Sequence, residues 1–168
     1  MKKIISIVLV VFMLTLSLAA CGGKDNSAEK GSGIKLTEAE IRSELAENSG
    51  TLTIEGESDN VTSFTFVVNN VNASNLVNKE FTREAVNVLL TNSSKIPYGQ
   101  LKACNGFNAV MAVCGLFEED EGDFDANAFT ETVLSIICNN QKQTYENWTV
   151  SATVNTADDS ITVSAVSK

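Results

Sequence analysis

The spacing of apolar residues changes twice along this 168-residue chain, and that change limits the folds open to it. Near residues 52–68 and again near 148–165, apolar and polar residues alternate, which is the period of a strand with one buried face. Between these segments, apolar residues recur every three or four positions, as in amphipathic helices. Strands at both ends with helices between them predict an α+β domain.

Each alternating segment contains a polar turn, at 56–60 in the first and at 155–160 in the second, so each predicts a β-hairpin. The apolar side of the four strands consists of Leu52, Ile54, Phe64, Phe66, Val68, Trp148, Val150, Ala152, Val154, Ile161, Val163 and Ala165. Two hairpins of this kind are expected to form one four-stranded antiparallel sheet with a single apolar face.

Helix signals occur in four segments. Thr37 followed by Glu40 forms a capping-box pattern, and Ile41 and Leu45 then fall on one side of a short helix. The remaining helices are predicted within residues 76–90, 101–117 and 129–137. We therefore expect three to four helices packed on the apolar face of the sheet.

The chain begins with the three parts of a secretory signal. Lys2 and Lys3 precede a mostly apolar run over residues 4–18, and small residues follow it. The run is shorter than the roughly 20 apolar residues of a membrane-spanning helix and ends without charges. A cleaved signal peptide over residues 1–20 is therefore expected.

The sequence Leu18-Ala19-Ala20-Cys21 resembles the lipobox of bacterial lipoproteins. That resemblance implies cleavage between Ala20 and Cys21 and attachment of a diacylglyceryl group to the Cys21 thiol, with further acylation of the new amino group. Two or three acyl chains such as palmitate make membrane attachment durable, whereas one chain binds only marginally. The implied location is the extracytoplasmic face of a cell membrane; an uncleaved anchor or a plain secreted protein is the alternative.

Residues 21–35 are predicted to be the lipidated cysteine and a flexible tether, because residues 22–33 are rich in glycine and charge. Residues 36–168 are predicted to be one globular domain. This length is enough for one domain with its own hydrophobic core and too short for two such domains.

Removing residues 1–20 takes away Lys2 and Lys3 and none of the 21 acidic residues, so the formal net charge falls from −9 to −11. An acidic chain repels phosphate backbones, which argues against nucleic-acid binding. The acidic chain repels anionic headgroups in the same way, which argues against polybasic lipid binding.

The sequence contains no histidine. This removes the usual general base near neutral pH, the commonest zinc ligand, and the Ser-His and Cys-His pairs. We therefore expect neither catalysis nor a cofactor. A histidine-independent hydrolase and a solute-binding accessory of a transporter are the alternatives.

Hydroxyl side chains occupy the polar positions of the predicted strands. They are Thr51, Thr53, Ser63, Thr65, Thr149, Ser151, Thr153, Thr162 and Ser164. If both hairpins join one sheet, these residues form a nearly uncharged surface with Val67 and Val166. We interpret it as a docking face for a protein or glycan on a non-catalytic surface module, against the simpler alternative of an ordinary solvated sheet face.

Trp148 and the nearby Tyr145 are candidates for stacking on a sugar ring. The alternation places Trp148 on the same side as Val150 and Val154, so a position in the core is the favoured interpretation.

The acidic segment 118–125 suggests a cation site, because carboxylates are the ligands that calcium prefers. Asp123, Asp125 and Asn127 have the spacing that begins an EF-hand loop, but Ala128 replaces the required glycine and Leu134 the required glutamate. We therefore predict no metal site, and expect the aspartates to cap the following helix.

Three cysteines follow Cys21, and an exported protein can form disulfides. Cys104 and Cys114 are ten residues apart on one predicted helix, about 15 Å along its axis, and cannot bridge each other. Free thiols are expected, and a bridge from Cys138 to either of the others is the alternative.

Overall fold

The computed structural model describes residues 33–118 and 124–168. Its helices are α1 (Glu38–Leu45), α2 (Ala73–Leu76), α3 (Lys79–Asn92), α4 (Tyr98–Gly115) and α5 (Ala126–Asn139), with a 3₁₀ turn at Ser93–Lys95. Its strands are β1 (Thr51–Glu57), β2 (Asn60–Asn69), β3 (Gln143–Tyr145), β4 (Trp148–Asn155) and β5 (Ser160–Ser167).

The strands form one antiparallel sheet in the order β1-β2-β5-β4-β3, so the predicted α+β class is confirmed. The predicted number of strands is wrong, because the described part of the chain contains five. The expected three to four helices are also too few, since five are present there. The additional strand has three residues and the additional helix four, and neither is long enough to display a period.

Strands β2 and β5 join the two predicted hairpins into one sheet. Phe66 of β2 pairs with Val163 of β5, and the pairing continues from Ser63 to Asn69 of β2. The first and last hairpins are therefore neighbours in space although 78 residues, 70–147, lie between them in the chain. This non-local pairing produces a continuous apolar face across the three central strands.

Apolar side chains from that face are buried beneath the helices. Phe64, Phe66, Trp148, Val150 and Val163 are all at most 1% exposed. Helix α4 packs closely on this layer through Gly106, where an added Cβ would lie 2.6 Å from Leu76 Cδ1 and 3.3 Å from Val71 Cβ. The absence of a side chain at this position lets α4 approach the short helix α2.

Helix α1 begins with the predicted capping box, which is confirmed. The Glu40 N–H donates to Thr37 Oγ1 at 3.2 Å, and the Thr37 N–H donates to Glu40 Oε2 at 2.7 Å. Ile41 and Leu45 on its inner side are buried, as the spacing predicted. The box fixes where the domain begins its first helix.

The two ends of the sheet have different partners. At one end, Ile34 accepts hydrogen bonds from the Trp148 indole N–H at 2.8 Å and from Asn147 Nδ2 at 3.3 Å. Ile34 falls within the segment predicted to be tether, and in the structure its backbone is held by β4 and the turn before it.

At the other end of the sheet, the turn between β4 and β5 is bonded to the segment after β2. The Val71 N–H donates to the Asp159 carbonyl at 3.1 Å, and the Ala73 N–H donates to its carboxylate at 2.6 Å. The Asn72 side chain donates a hydrogen bond from Nδ2 to the Gly99 carbonyl at 3.4 Å. The first turn of α4 consequently lies at the end of the sheet opposite Ile34.

Helices long and apolar enough to cross a bilayer are absent from residues 33–118 and 124–168. The apolar run at residues 4–18 lies outside the described residues.

Candidate functional site

The nine hydroxyl side chains predicted to share a surface lie on one face of the sheet, opposite the buried apolar residues. None of them is buried, and Thr51, Thr53 and Thr153 are exposed. We call this surface the open face; it consists of those nine residues together with Glu55, Val67, Thr144 and Val166.

The strand register arranges the open face in three rows that run across the strands. The middle row crosses four strands as Thr53, Thr65, Ser164 and Ser151. The rows on either side of it are Thr51, Val67, Thr162, Thr153 and Glu55, Ser63, Val166, Thr149, Thr144. Because neighbouring strands are about 4.8 Å apart, a row of four hydroxyls spans roughly 15 Å.

The open face has little charge. Strands β2, β4 and β5, which contribute most of it, contain no Asp, Glu, Lys or Arg, and Glu55 lies on the edge strand β1. Val67 and Val166 add apolar area, and Val166 is 49% exposed. The face therefore combines an uncharged centre with one negative charge at its margin.

Few of the hydroxyls are committed to partners within the protein. Ser63 Oγ donates to Glu55 Oε2 at 2.7 Å, and the Thr65 and Ser164 hydroxyl oxygens are 3.5 Å apart. A serine or threonine hydroxyl can donate one hydrogen bond and accept two. The centre of the face can therefore bond to a partner at several points with no charged group to desolvate.

Trp148 lies in the core, as the alternation favoured, so the interpretation as a sugar-stacking residue is wrong for it. It is 1% exposed, and its ring centroid is 5.5 Å from that of Phe117 and 6.2 Å from that of Phe64. Tyr145 stacks on Phe117 at 5.1 Å and is half-buried. Neither ring lies on the open face.

A cavity of about 470 Å³ lies beside Tyr145, at the end of the sheet that holds Ile34. Its lining is Ile34, Phe117, Glu118, Phe124, Asp125, Ala128, Phe129, Thr132, Tyr145 and Glu146. The Tyr145 hydroxyl is buried and makes no hydrogen bond of normal geometry. The cavity has both aromatic and acidic walls.

Burial governs the ionisation of the groups around Tyr145. It raises the pKa of the Cys114 thiol to about 11, with the neighbouring Tyr145 hydroxyl acting in the opposite direction. Burial also raises the pKa of Tyr145, and that of the Glu118 carboxyl beside it. A thiol held protonated is a poor nucleophile, so this cluster does not resemble an activated cysteine site.

Asp125 caps helix α5, as expected from its position before the helix. Its carboxylate accepts hydrogen bonds from the N–H groups of Asn127 at 2.9 Å and Ala128 at 3.2 Å. Asn127 is exposed, and Asp123 lies outside the described residues. In the two described stretches, no three Asp, Glu, His or Cys side chains converge as metal ligands.

Cys104, Cys114 and Cys138 are free thiols. Cys104 donates to the Ala85 carbonyl and Cys138 to the Leu76 carbonyl, each at 3.5 Å. Burial raises the pKa of both thiols. The alternative of a disulfide from Cys138 is not realised in this structure.

Thr144 belongs to the open face but was not among the residues predicted for it. Thr144 lies on β3 and pairs with Thr149 on β4. A strand of three residues is too short for its alternation to be recognised in the sequence. The predicted cleavage and lipidation residues Ala20 and Cys21 lie outside the described residues, so the structure does not bear on them.

Comparison of the chain with protein-family models, with curated proteins and with solved structures finds no match.

Proposed function

We propose that this chain is a bacterial lipoprotein, held on the extracytoplasmic face of a membrane by lipid on Cys21, and that its domain is a non-catalytic module that binds a protein through the open face. The lipobox supports the anchor. The arrangement of the sheet supports the binding surface.

The observation that carries the binding proposal is the uncharged centre of the open face in an acidic protein. The chain has 21 acidic residues, yet the three central strands have none. Covering a charge costs much more free energy than covering a hydroxyl that finds a new partner. A face of hydroxyls with exposed Val166 is therefore inexpensive to bury against another surface.

A protein partner is favoured over a glycan because the open face has no aromatic residue. Tryptophan and tyrosine supply the flat, amphipathic surface on which a sugar ring would stack. Trp148 is buried, and Tyr145 lies beside the cavity on the other side of the sheet. Hydroxyl and valine side chains in regular rows are better suited to a complementary protein surface.

Mass spectrometry tests the anchor. The full chain and its Cys21→Ala variant are expressed in a bacterial host, and the mass of each is measured after isolation from membranes. We expect the first to have the mass of residues 21–168 plus acyl chains, and the variant to lack them. An unlipidated mass in both chains would remove the lipoprotein proposal.

Site-specific photo-crosslinking in cells tests the open face. A photoreactive phenylalanine replaces Thr153, which is exposed on β4, or Asn87, which is exposed on α3 and serves as the control. We expect a crosslinked species of one discrete mass from position 153 and none from position 87. Equal products from both positions, or none from 153, would contradict binding at this face.

Substitution of a charged residue at the centre of the open face tests the same interface in a second way. Ser164 lies in the middle row between Thr65 and Ser151, so Ser164→Lys should abolish crosslinking from position 153. Asn87→Lys adds the same charge on the helical side and should leave crosslinking unchanged.

A further inference from the structure

The last turns of α3, the first turn of α4 and the segment between them carry exposed apolar side chains and two lysines. Leu90, Tyr98 and Leu101 are 37%, 74% and 42% exposed. Lys95 is exposed, and the Lys102 ammonium lies 5.1 Å from the centre of the Tyr98 ring. We call these five residues the tip. Exposed apolar side chains gathered at one place indicate a surface that meets another molecule or a membrane.

The tip also differs from the rest of the protein in charge. Between Glu84 and Glu118 the sequence contains no acidic residue, and Lys95 and Lys102 are its charged residues. The chain as a whole is strongly acidic, so this segment is locally positive against a negative background. Its charge is complementary to an anionic surface, which the net charge of the chain conceals.

We infer that the tip inserts into the interfacial region of a bilayer containing anionic lipid, the membrane to which Cys21 is attached. The inference rests on the lipid anchor of the proposed function. Tyrosine is enriched at the level of the headgroups, and leucine side chains lie below it. Lysine keeps its ammonium group in the headgroup region while its methylene chain follows the apolar residues.

A bilayer fits this surface better than an acidic protein partner does. Two lysines and three partly exposed apolar side chains make too small a surface for a stable protein complex. Weak membrane contact is sufficient once the chain is anchored, because a tether converts the second contact into an intramolecular event at an effective concentration on the order of millimolar.

The length of the chain before the domain permits both contacts at once. Twelve residue steps connect Cys21 to Gly33, and a chain of that length spans at most about 40 Å. Ile34 and the first turn of α4 lie at opposite ends of β4, which is eight residues long and therefore roughly 25 Å. The domain can consequently lie along the membrane, with the helical layer below and the open face turned outward.

Fluorescence of an added tryptophan tests the insertion. Tyr98→Trp introduces a reporter at the tip, and Val166→Trp introduces one on the open face as a matched control. Each full chain is combined with vesicles of phosphatidylethanolamine and phosphatidylglycerol, or of phosphatidylcholine alone, with and without brominated acyl chains. Buried Trp148 gives the same background in both, and the parent chain measures it.

We expect a blue shift and bromine quenching for the tip reporter in phosphatidylglycerol vesicles, and neither for the open-face reporter. Lys95→Glu with Lys102→Glu should abolish the quenching, while circular dichroism verifies that this variant is folded. Absence of quenching at position 98, equal quenching at position 166, or quenching that persists after charge reversal would overturn the inference. The mass of the same samples reports lipidation separately, so loss of the anchor proposal is distinguishable from failure of the tip.

Discussion

The two faces of the sheet are built by the same strands and differ in nearly every physical property. On β5, Ile161, Val163 and Ala165 are fully buried, while Thr162 and Ser164 between them are only half-buried. One face is apolar and covered by helices, and the other is uncharged, polar and open. Alternation along each strand therefore separates the two faces, since burial of one face stabilises the fold while the other stays accessible to solvent.

The absence of charged residues from the centre of the open face is not required by the fold. A solvated sheet face in an acidic protein has no structural need to exclude charge, and exposed strand positions accept Lys and Glu at modest cost. The central strands nevertheless have neither.

Neighbouring residues on β4 provide the strongest contrast. Trp148→Ala should lower the free energy of unfolding by about 3–5 kcal/mol, because it leaves a cavity among Phe64 and Phe117. Thr149→Ala, one residue further along and on the open face, should change it by less than about 1 kcal/mol. Urea unfolding followed by circular dichroism measures both, and similar losses would contradict the assignment of the faces.

A pair of glycines in α4 tests packing on the covered side. Gly106→Ala should destabilise the protein by about 1–3 kcal/mol, because the new methyl group would overlap Leu76 Cδ1 in a filled core. Gly99→Ala should be neutral or stabilising by up to about 1 kcal/mol, since its methyl group would meet only Asn72 Nδ2 at 3.6 Å. Thermal and urea unfolding of the two variants compare them directly, and a stable Gly106→Ala protein would show that the core has room there.

The buried carboxyl of Glu44 on α1 should make the free energy of unfolding depend on pH. Its Oε1 is buried without a partner, and burial, with a smaller contribution from Glu47, raises the pKa of the carboxyl to about 7. The folded protein therefore holds this proton more tightly than the unfolded chain does. The resulting stabilisation is complete below about pH 4.5 and is lost as the pH rises through 7.

Glu44→Gln should remove this dependence. We expect it to stabilise the protein by about 1 kcal/mol at pH 8, a value reduced for the solvent-exposed part of the side chain, and to have no effect at pH 4. Glu55→Gln on the open face controls for the loss of one negative charge. Unfolding curves at the two pH values measure the difference, and an equal gain at both would contradict burial as the cause.

The smallest effect is expected at the exposed valine of the open face. Val166→Thr should change the free energy of unfolding by less than about 0.5 kcal/mol, because the new hydroxyl remains in water. Val163→Thr on the same strand buries that hydroxyl and should cost about 1–3 kcal/mol. If Val166→Thr were as costly as Val163→Thr, the open face would have to be covered in the folded protein.

Local patterns determined a large part of this structure. Alternation in two segments placed the hairpins and assigned each residue to a face, and the capping box at Thr37 located α1. The helical spacing of apolar residues over 76–90 predicted α3, and the expectation that an aspartate caps α5 is met by Asp125. These features are visible in sequence because they depend on residues only a few positions apart.

Strand β3 and helix α2 were determined only by the tertiary structure. Three residues of β3 are ordered by pairing with β4, and the single turn of α2 is held by Asp159 and by its close approach to Gly106. Elements this short gain too little from their own hydrogen bonds to form alone. Contacts with distant parts of the chain therefore decide whether they exist.

Local sequence specified which side chains alternate, whereas contacts between distant segments set which of those side chains became neighbours. Pairing of β2 with β5 brought hydroxyls separated by about 100 residues into one row, and the fold brought the Ile34 carbonyl to the Trp148 indole N–H. The approach of α4 to the end of β2 placed the tip opposite Ile34. Period and capping are local properties of a chain, whereas the position of one element beside another depends on the packing of the whole core.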